Sequence, residues 1–165
     1  MRTCLALFLL LASTATASAQ GHIYLVRHAE RADTGTKAGA TMSTDPDLSA
    51  AGHARAQALA GVLKDAGIKA IYTTEYKRTR QTAEPLAKAL GIEPTVVPAR
   101  EMKSLIEKLK TAGAPALVVG HSNTVGETIA ALGVTDPVKI DDSEFDHLFI
   151  VTAGEKPGLI RLHYR

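Results

Sequence analysis

Short apolar runs that alternate with segments of helical period restrict this chain to an α/β architecture. Ile23-Tyr24-Leu25-Val26, Ala70 to Thr73, Thr95-Val96-Val97 and Ala116 to Val119 read as strands. Ala51, Ala54, Ala58, Leu59, Val62, Leu63 and Ala66 recur at helical spacing behind Ser49, which stands in N-cap position, and Gly67 follows as a stop. A second helix runs from Lys77 to Leu90 and is closed by Gly91, with Pro85 a point of kinking or interruption. Further helices cover Met102 to Thr111 and Thr124 to Leu132, the latter ending at Gly133. Leu148 to Thr152 and Leu159 to His163 have no helix between them, and Gly154 and Gly158 frame a hairpin-like turn. The expected fold is a three-layer α/β/α sandwich. Its sheet is mainly parallel, with an antiparallel strand near the C-terminal end.

The 165 residues suit one domain. Met1-Arg2-Thr3, the apolar run Leu5 to Ala12 and the small polar stretch to Ala17-Ser18-Ala19 have the layout of an export signal cut after Ala19. The apolar run is far short of the roughly 20 residues that span a bilayer. Residues 1–19 are therefore expected to be removed, leaving one domain over 20–165 in the periplasm or outside the cell. The one cysteine, Cys4, leaves with the signal, which suits an oxidising compartment. A formal charge of +2, no Lys/Arg run, no tryptophan and 4% aromatic residues give no support for nucleic acid as a partner. No membrane association is expected after cleavage.

The chemistry collects just past the strand ends. Arg27-His28 follows the first strand, Arg78 lies a little beyond the second, and Gly120-His121-Ser122-Asn123 follows the fourth. In an open parallel sheet the ligand lies beyond the carboxyl ends of the strands, so these groups should converge on one crevice. Paired imidazoles and guanidiniums in a cleft suit a strongly anionic guest, and arginine's planar fork matches phosphate oxygens. Ala32 to Asp47, rich in Gly, Thr, Ala and Asp, reads as a long loop of the kind used for lids.

These residues carry a family resemblance. Leu25-Val26-Arg27-His28-Ala29-Glu30 resembles the Arg-His-Gly/Ala-Glu signature of the histidine phosphatase superfamily, the phosphoglycerate-mutase-like proteins. Leu48-Ser49 through Gly52 and Arg55-Ala56, Tyr72-Thr73-Thr74 through Arg78 to Ala83, and Val118 to Asn123 resemble its later motifs, in the family's order from His22 to Thr128. The resemblance implies a phosphatase acting on phosphomonoesters, or on phosphoramidates such as phosphohistidine, in small molecules or phosphoproteins. His28 would be the nucleophile that carries the phosphoryl group. Arg27, Arg78 and His121 would bind its oxygens. A neutral His28 beside a protonated His121 requires two different pKa values. No metal or other cofactor is implied, since the arginines supply the positive charge.

The general acid is less defined. His121-Ser122 stands where one branch of the family has His-Asp, which puts this chain with the other branch, branch 1. There the acid comes from the segment after the third strand, and Glu101 is the candidate. Glu101 reads equally well as a first-turn residue favoured by the helix dipole. Glu30 is the alternative, either as acid or as a pocket-orienting or solvated side chain. Glu75 stands where the family commonly has proline and should only shape a turn. Ser122 and Asn123 either contact phosphate or cap the following helix. Thr73 and Thr74 read as turn residues, and Asp136 and Asp141-Asp142 as solvated ones. His22, His53, His147 and His163 lack metal-ligand spacing and read as structural. A binding module without turnover, or a phosphoglycerate-mutase-type transferase, are the competing functions. Export and a length with no room for the larger mutases' insertions and C-terminal tail disfavour the transferase. The short segment between Val97 and Ala116 leaves little room for a cap, so an open pocket of broad specificity is expected.

Overall fold

The computed structural model describes residues 21–33, 45–152 and 156–165. The signal reading, most of the Ala32–Asp47 loop and the tip around Gly154 therefore lie outside the described residues. The elements in chain order are β1 (His22–Arg27), α1 (Ala50–Leu63), β2 (Ala70–Thr73), α2 (Lys77–Leu90) and β3 (Thr95–Val96). α3 (Met102–Ala112), β4 (Ala116–Gly120), α4 (Ser122–Ala131), β5 (His147–Thr152) and β6 (Gly158–His163) complete the chain.

Side chains along β1 and β4 alternate between two apolar faces, as a strand buried on both sides requires. Tyr24, Val26, Leu117 and Val119 pack with Leu59 and Leu63 of α1 and Leu86 of α2. Ile23, Leu25, Val118 and Phe149 pack with Leu109 of α3 and with Val125 and Ile129 of α4. One helical pair thus covers each face, giving the expected α/β/α layers. Each fully buried leucine among these contributes on the order of 2 kcal/mol.

The sheet order is β3-β2-β4-β1-β5-β6. β1, β4, β2 and β3 run parallel, whereas β5 pairs antiparallel with β1 and β6 antiparallel with β5. The mainly parallel sheet with antiparallel C-terminal strands is the architecture the alternation pattern required.

Two local details differ from expectation. α4 starts at Ser122 instead of Thr124, and His121 is its N-cap. The His121 backbone N–H donates to Thr124 Oγ1 at 2.8 Å, so Thr124 secures the turn from inside the helix. Ser122 and Asn123 are first-turn residues and not the cap. α2 runs unbroken through Pro85. Leu86 and Ala87, just behind it, are buried in the α1–α2 core, and that packing outweighs one missing backbone bond.

Glycine is required where α1 meets the chain leaving β1. A Cβ on Gly52 would lie 2.2 Å from the Glu30 carbonyl oxygen, a backbone atom that cannot swing aside. Gly52→Ala is expected to destabilise the protein by about 3 kcal/mol, measured by denaturant unfolding. Unchanged stability would mean that α1 and the Glu30 segment separate easily.

Candidate active site

Strand register builds the site before any side chain is considered. Arg27 is the register partner of Gly120, so the residues that follow, His28 and His121, leave adjacent strands side by side. Thr73 pairs with Val119, which brings Thr74 to the same edge. The His28 backbone N–H donates to Gly120 O at 2.9 Å and locks this junction. α2 delivers Arg78 in its first turn, while Thr82 Oγ1 accepts from Ala29 N at 2.9 Å and holds α2 against the residue after His28.

The four predicted residues Arg27, His28, Arg78 and His121 are brought together and all are buried. The His28 and His121 ring centroids are 5.4 Å apart. Arg78 NH2 lies 3.5 Å from His121 Nδ1, and its guanidinium carbon sits 4.3 Å from the Tyr76 ring centroid. Arg78 also has Asp45 Oδ1 at 3.7 Å from NH1. Arg27 NH1 donates to Asp141 O at 2.9 Å and to Glu144 O at 3.1 Å, and its guanidinium lies 4.2 Å from the Phe145 ring centroid.

Hydrogen bonding fixes the protons on both rings. His28 Nδ1 lies 2.8 Å from Ala29 O, and a carbonyl only accepts, so Nδ1 carries the hydrogen and Nε2 keeps its lone pair. A guanidinium only donates, so His121 Nδ1 is the acceptor toward Arg78. His121 Nε2–H then donates to Thr74 Oγ1 at 3.1 Å.

Burial pushes the His28 pKa down to about 3, with His121, Arg27 and Arg78 adding to the effect and the bond to Ala29 O opposing it. Burial, then Arg78, pushes His121 down to about 4. Desolvation likewise lowers both guanidinium pKa values. Burial thus favours the neutral form of both rings, His28 more strongly than His121. Both rings are neutral, because the same burial and the same arginines act on each. A bound anion would reverse the sign of the local field and favour the proton on His121.

Because both histidines take up a proton on unfolding below pH 6.5, the unfolded state binds more protons than the native state between about pH 3 and 6.5. Native stability should therefore fall as pH is lowered through that window. His28→Ala should flatten the dependence, as measured by urea unfolding in phosphate-free buffer. A slope equal to that of the wild type would contradict a His28 buried in its neutral form.

The acid candidates separate. Glu30 is bound by Arg55, whose Nε reaches Oε1 and Oε2 at 2.8 and 2.9 Å and whose NH2 reaches Oε1 at 2.6 Å. Burial alone would raise the Glu30 pKa, but the Arg55 hydrogen bonds and charge outweigh it and the net shift is downward. A carboxylate held ionised in this way is a poor proton donor, so Glu30 is a tether between α1 and β1. Glu101 is exposed and occupies the N-cap position of α3, but its side chain makes no capping bond. It lines a pocket with Thr73, Thr74, Gly120 and Thr124, a pocket whose lining includes none of Arg27, His28, Arg78 and His121. Glu75 accepts from Ala99 N at 2.8 Å and so ties the turn after β2 to the segment leading to Glu101.

Sequence reasoning missed several supports. Tyr76 and Phe145 flank the guanidiniums, and Thr74, read as a turn residue, binds His121. Asp141 serves Arg27 through its carbonyl, which no side-chain pattern advertises.

An α/β sandwich with two imidazoles and two guanidiniums at the carboxyl edge of its parallel strands has the chemistry suited to an oxyanion. The chain belongs to the histidine phosphatase superfamily (branch 1), whose family model matches residues 23–107. Among solved structures it is similar to protein histidine phosphatase SixA complexed with tungstate, at 19% identity and a TM-score of 0.64 over 86% of this chain and 96% of that one. It is also similar to a candidate phosphohistidine phosphatase SixA from Agrobacterium tumefaciens, at 25% identity and a TM-score of 0.61 over 87% and 97% of the two chains. Mycobacterial glucosyl-3-phosphoglycerate phosphatase with VO3 matches at 16% identity and a TM-score of 0.67, over 86% and 97%. No curated protein matches the sequence.

Proposed function

We propose that this protein is an exported phosphatase that hydrolyses phosphomonoesters or phosphoramidates through a phosphohistidine at His28. The observation that carries the reading is the His28 tautomer. Its Nδ1–H is committed to Ala29 O, which leaves the Nε2 lone pair available on a buried ring whose centroid lies 5.4 Å from that of His121. Similarity to chains named as phosphohistidine and glucosyl-3-phosphoglycerate phosphatases supports the class of substrate.

In this mechanism Nε2 attacks phosphorus in line, an N–P bond forms, and the bond to the leaving group breaks with its electron pair on that group. Arg27, Arg78 and His121 hold the phosphoryl oxygens. Glu101 protonates an oxygen leaving group, then takes a proton from the water that attacks phosphorus as the N–P bond breaks. Glu101 makes no capping bond to α3 and shares a pocket with Thr74, the hydrogen-bond partner of His121, which supports assigning it this role. The nucleophile retained beside both guanidiniums favours turnover over a binding-only module.

The test is phosphate release by residues 20–165 from an aryl phosphate, an alkyl phosphate and a phosphoramidate, with chelator present. Turnover on any of them supports the reading, and none on all three removes it. Glu101→Gln should slow the alkyl ester about 10²-fold and the aryl ester only a few-fold, because an aryl oxide departs without a proton. Equal effects on the two esters would remove Glu101 from the acid role.

A further inference from the structure

His147 and His163 are separated in sequence but are register partners on the antiparallel pair β5–β6. Directly opposite residues on such a pair present their side chains to the same face. Their ring centroids are 4.3 Å apart. Asp146 completes the group, with Oδ1 at 3.2 Å from His163 Nδ1. One ligand atom from each of Asp146, His147 and His163 lies within 4.8 Å of the others, the single such group of three among the described residues.

An ordinary hydrogen-bonded pair accounts for His163 and Asp146 but not for His147. His147 is 6% exposed, and its Nδ1 has no hydrogen-bond partner. Its other nitrogen, Nε2, faces Glu144 Oε2 at 3.3 Å. A ring whose one N–H meets a carboxylate while the other nitrogen stays free and buried has the arrangement of a metal-bound histidine with its outer carboxylate. Ligand atoms about 2.0–2.1 Å from a tetrahedral zinc stand about 3.3 Å apart. His163 and Asp146 are already at about that spacing, and the set of three, within 4.8 Å, needs a small side-chain adjustment to close on a metal.

We propose that Asp146, His147 and His163 form a site for a divalent transition metal, zinc or copper, separate from the phosphoryl site. His147 ligates through Nδ1, His163 through Nδ1 and Asp146 through a carboxylate oxygen, and Glu144 orients His147. Imidazole and carboxylate donors suit zinc, copper and nickel better than calcium or magnesium. A fourth position is left for water or another donor. The site adjoins the stretch from Asp141 to Phe145 whose carbonyls and ring hold Arg27, so metal there braces that segment from outside the catalytic crevice.

The test is calorimetric titration of Zn²⁺ alone into chelator-treated, dialysed residues 20–165 in phosphate-free buffer. One equivalent should bind, and His163→Gln and Asp146→Asn should each weaken it at least tenfold. His163 is half exposed, so its replacement leaves the fold intact, as circular dichroism would verify. The rival zinc site is the His28–His121 pair. Binding lost in His28→Ala but kept in His163→Gln would therefore overturn the proposal, and so would no binding at all. With Cu²⁺, electron paramagnetic resonance should show two imidazole nitrogens in the wild type and one in His163→Gln. An unchanged spectrum in the variant would also overturn it. None of these readouts depends on phosphatase activity.

Discussion

Replacing His28 with alanine is expected to lower phosphate release at least about 10³-fold on every substrate, with the fold retained. The substitution removes the side chain alone. The backbone bond from His28 N to Gly120 O, which joins β1 to β4, is independent of the imidazole. The buried ring neighbours His121 and Phe145 at the strand edge, so circular dichroism of the variant checks that the fold is kept. Rapid acid-free quenching with a radiolabelled substrate should trap label on the wild type and none on the variant. Activity within tenfold of wild type would show that the phosphoryl group never resides on His28.

Arg78→Met should cost about 10²-fold or more in kcat/KM, with little change in thermal unfolding. Arg78 is 1% exposed, and burial is the main influence lowering its pKa, so a neutral side chain of similar length avoids the desolvation cost there. Methionine keeps much of the aliphatic volume against Tyr76 while removing the fork. Arg78→Lys should restore little, because a single ammonium cannot both stack on Tyr76 and present a planar pair of donors. The measurements are kcat/KM and inhibition by inorganic phosphate, which should weaken in parallel. A variant that unfolds readily yet keeps its turnover would make Arg78 a structural residue.

The parts legible in the sequence were those encoded locally. The Lys77–Leu90 helix ends where Gly91 takes φ +65°, and the Ser49 cap accepts from Gly52 N. Strands buried on both faces showed as unbroken apolar runs, and the polar burst after each marked the edge where Arg27, His28, Arg78 and His121 meet. What escaped was encoded across the chain. Register between β5 and β6 pairs His147 with His163 and leaves no mark in their spacing. The carbonyls of Asp141 and Glu144 that hold Arg27 belong to the backbone, and the common neutrality of the two imidazoles follows from burial that only tertiary structure sets. The Glu30–Arg55 pair was also invisible, since both residues fit the family motifs without announcing that they bind each other.

The bond between His28 N and Gly120 O has a consequence for how the protein acquires activity. It joins positions on either side of α1, β2, α2, β3 and α3, and β1 also needs β5 as its second neighbour. Contacts this distant along the chain form late and slowly compared with helices. A nascent or truncated chain that lacks β4 cannot form this junction, so the phosphoryl transfer proposed for His28 would have to await it. Regain of turnover during refolding should consequently trail the regain of helical signal, making catalysis the reporter of the last long-range pairing.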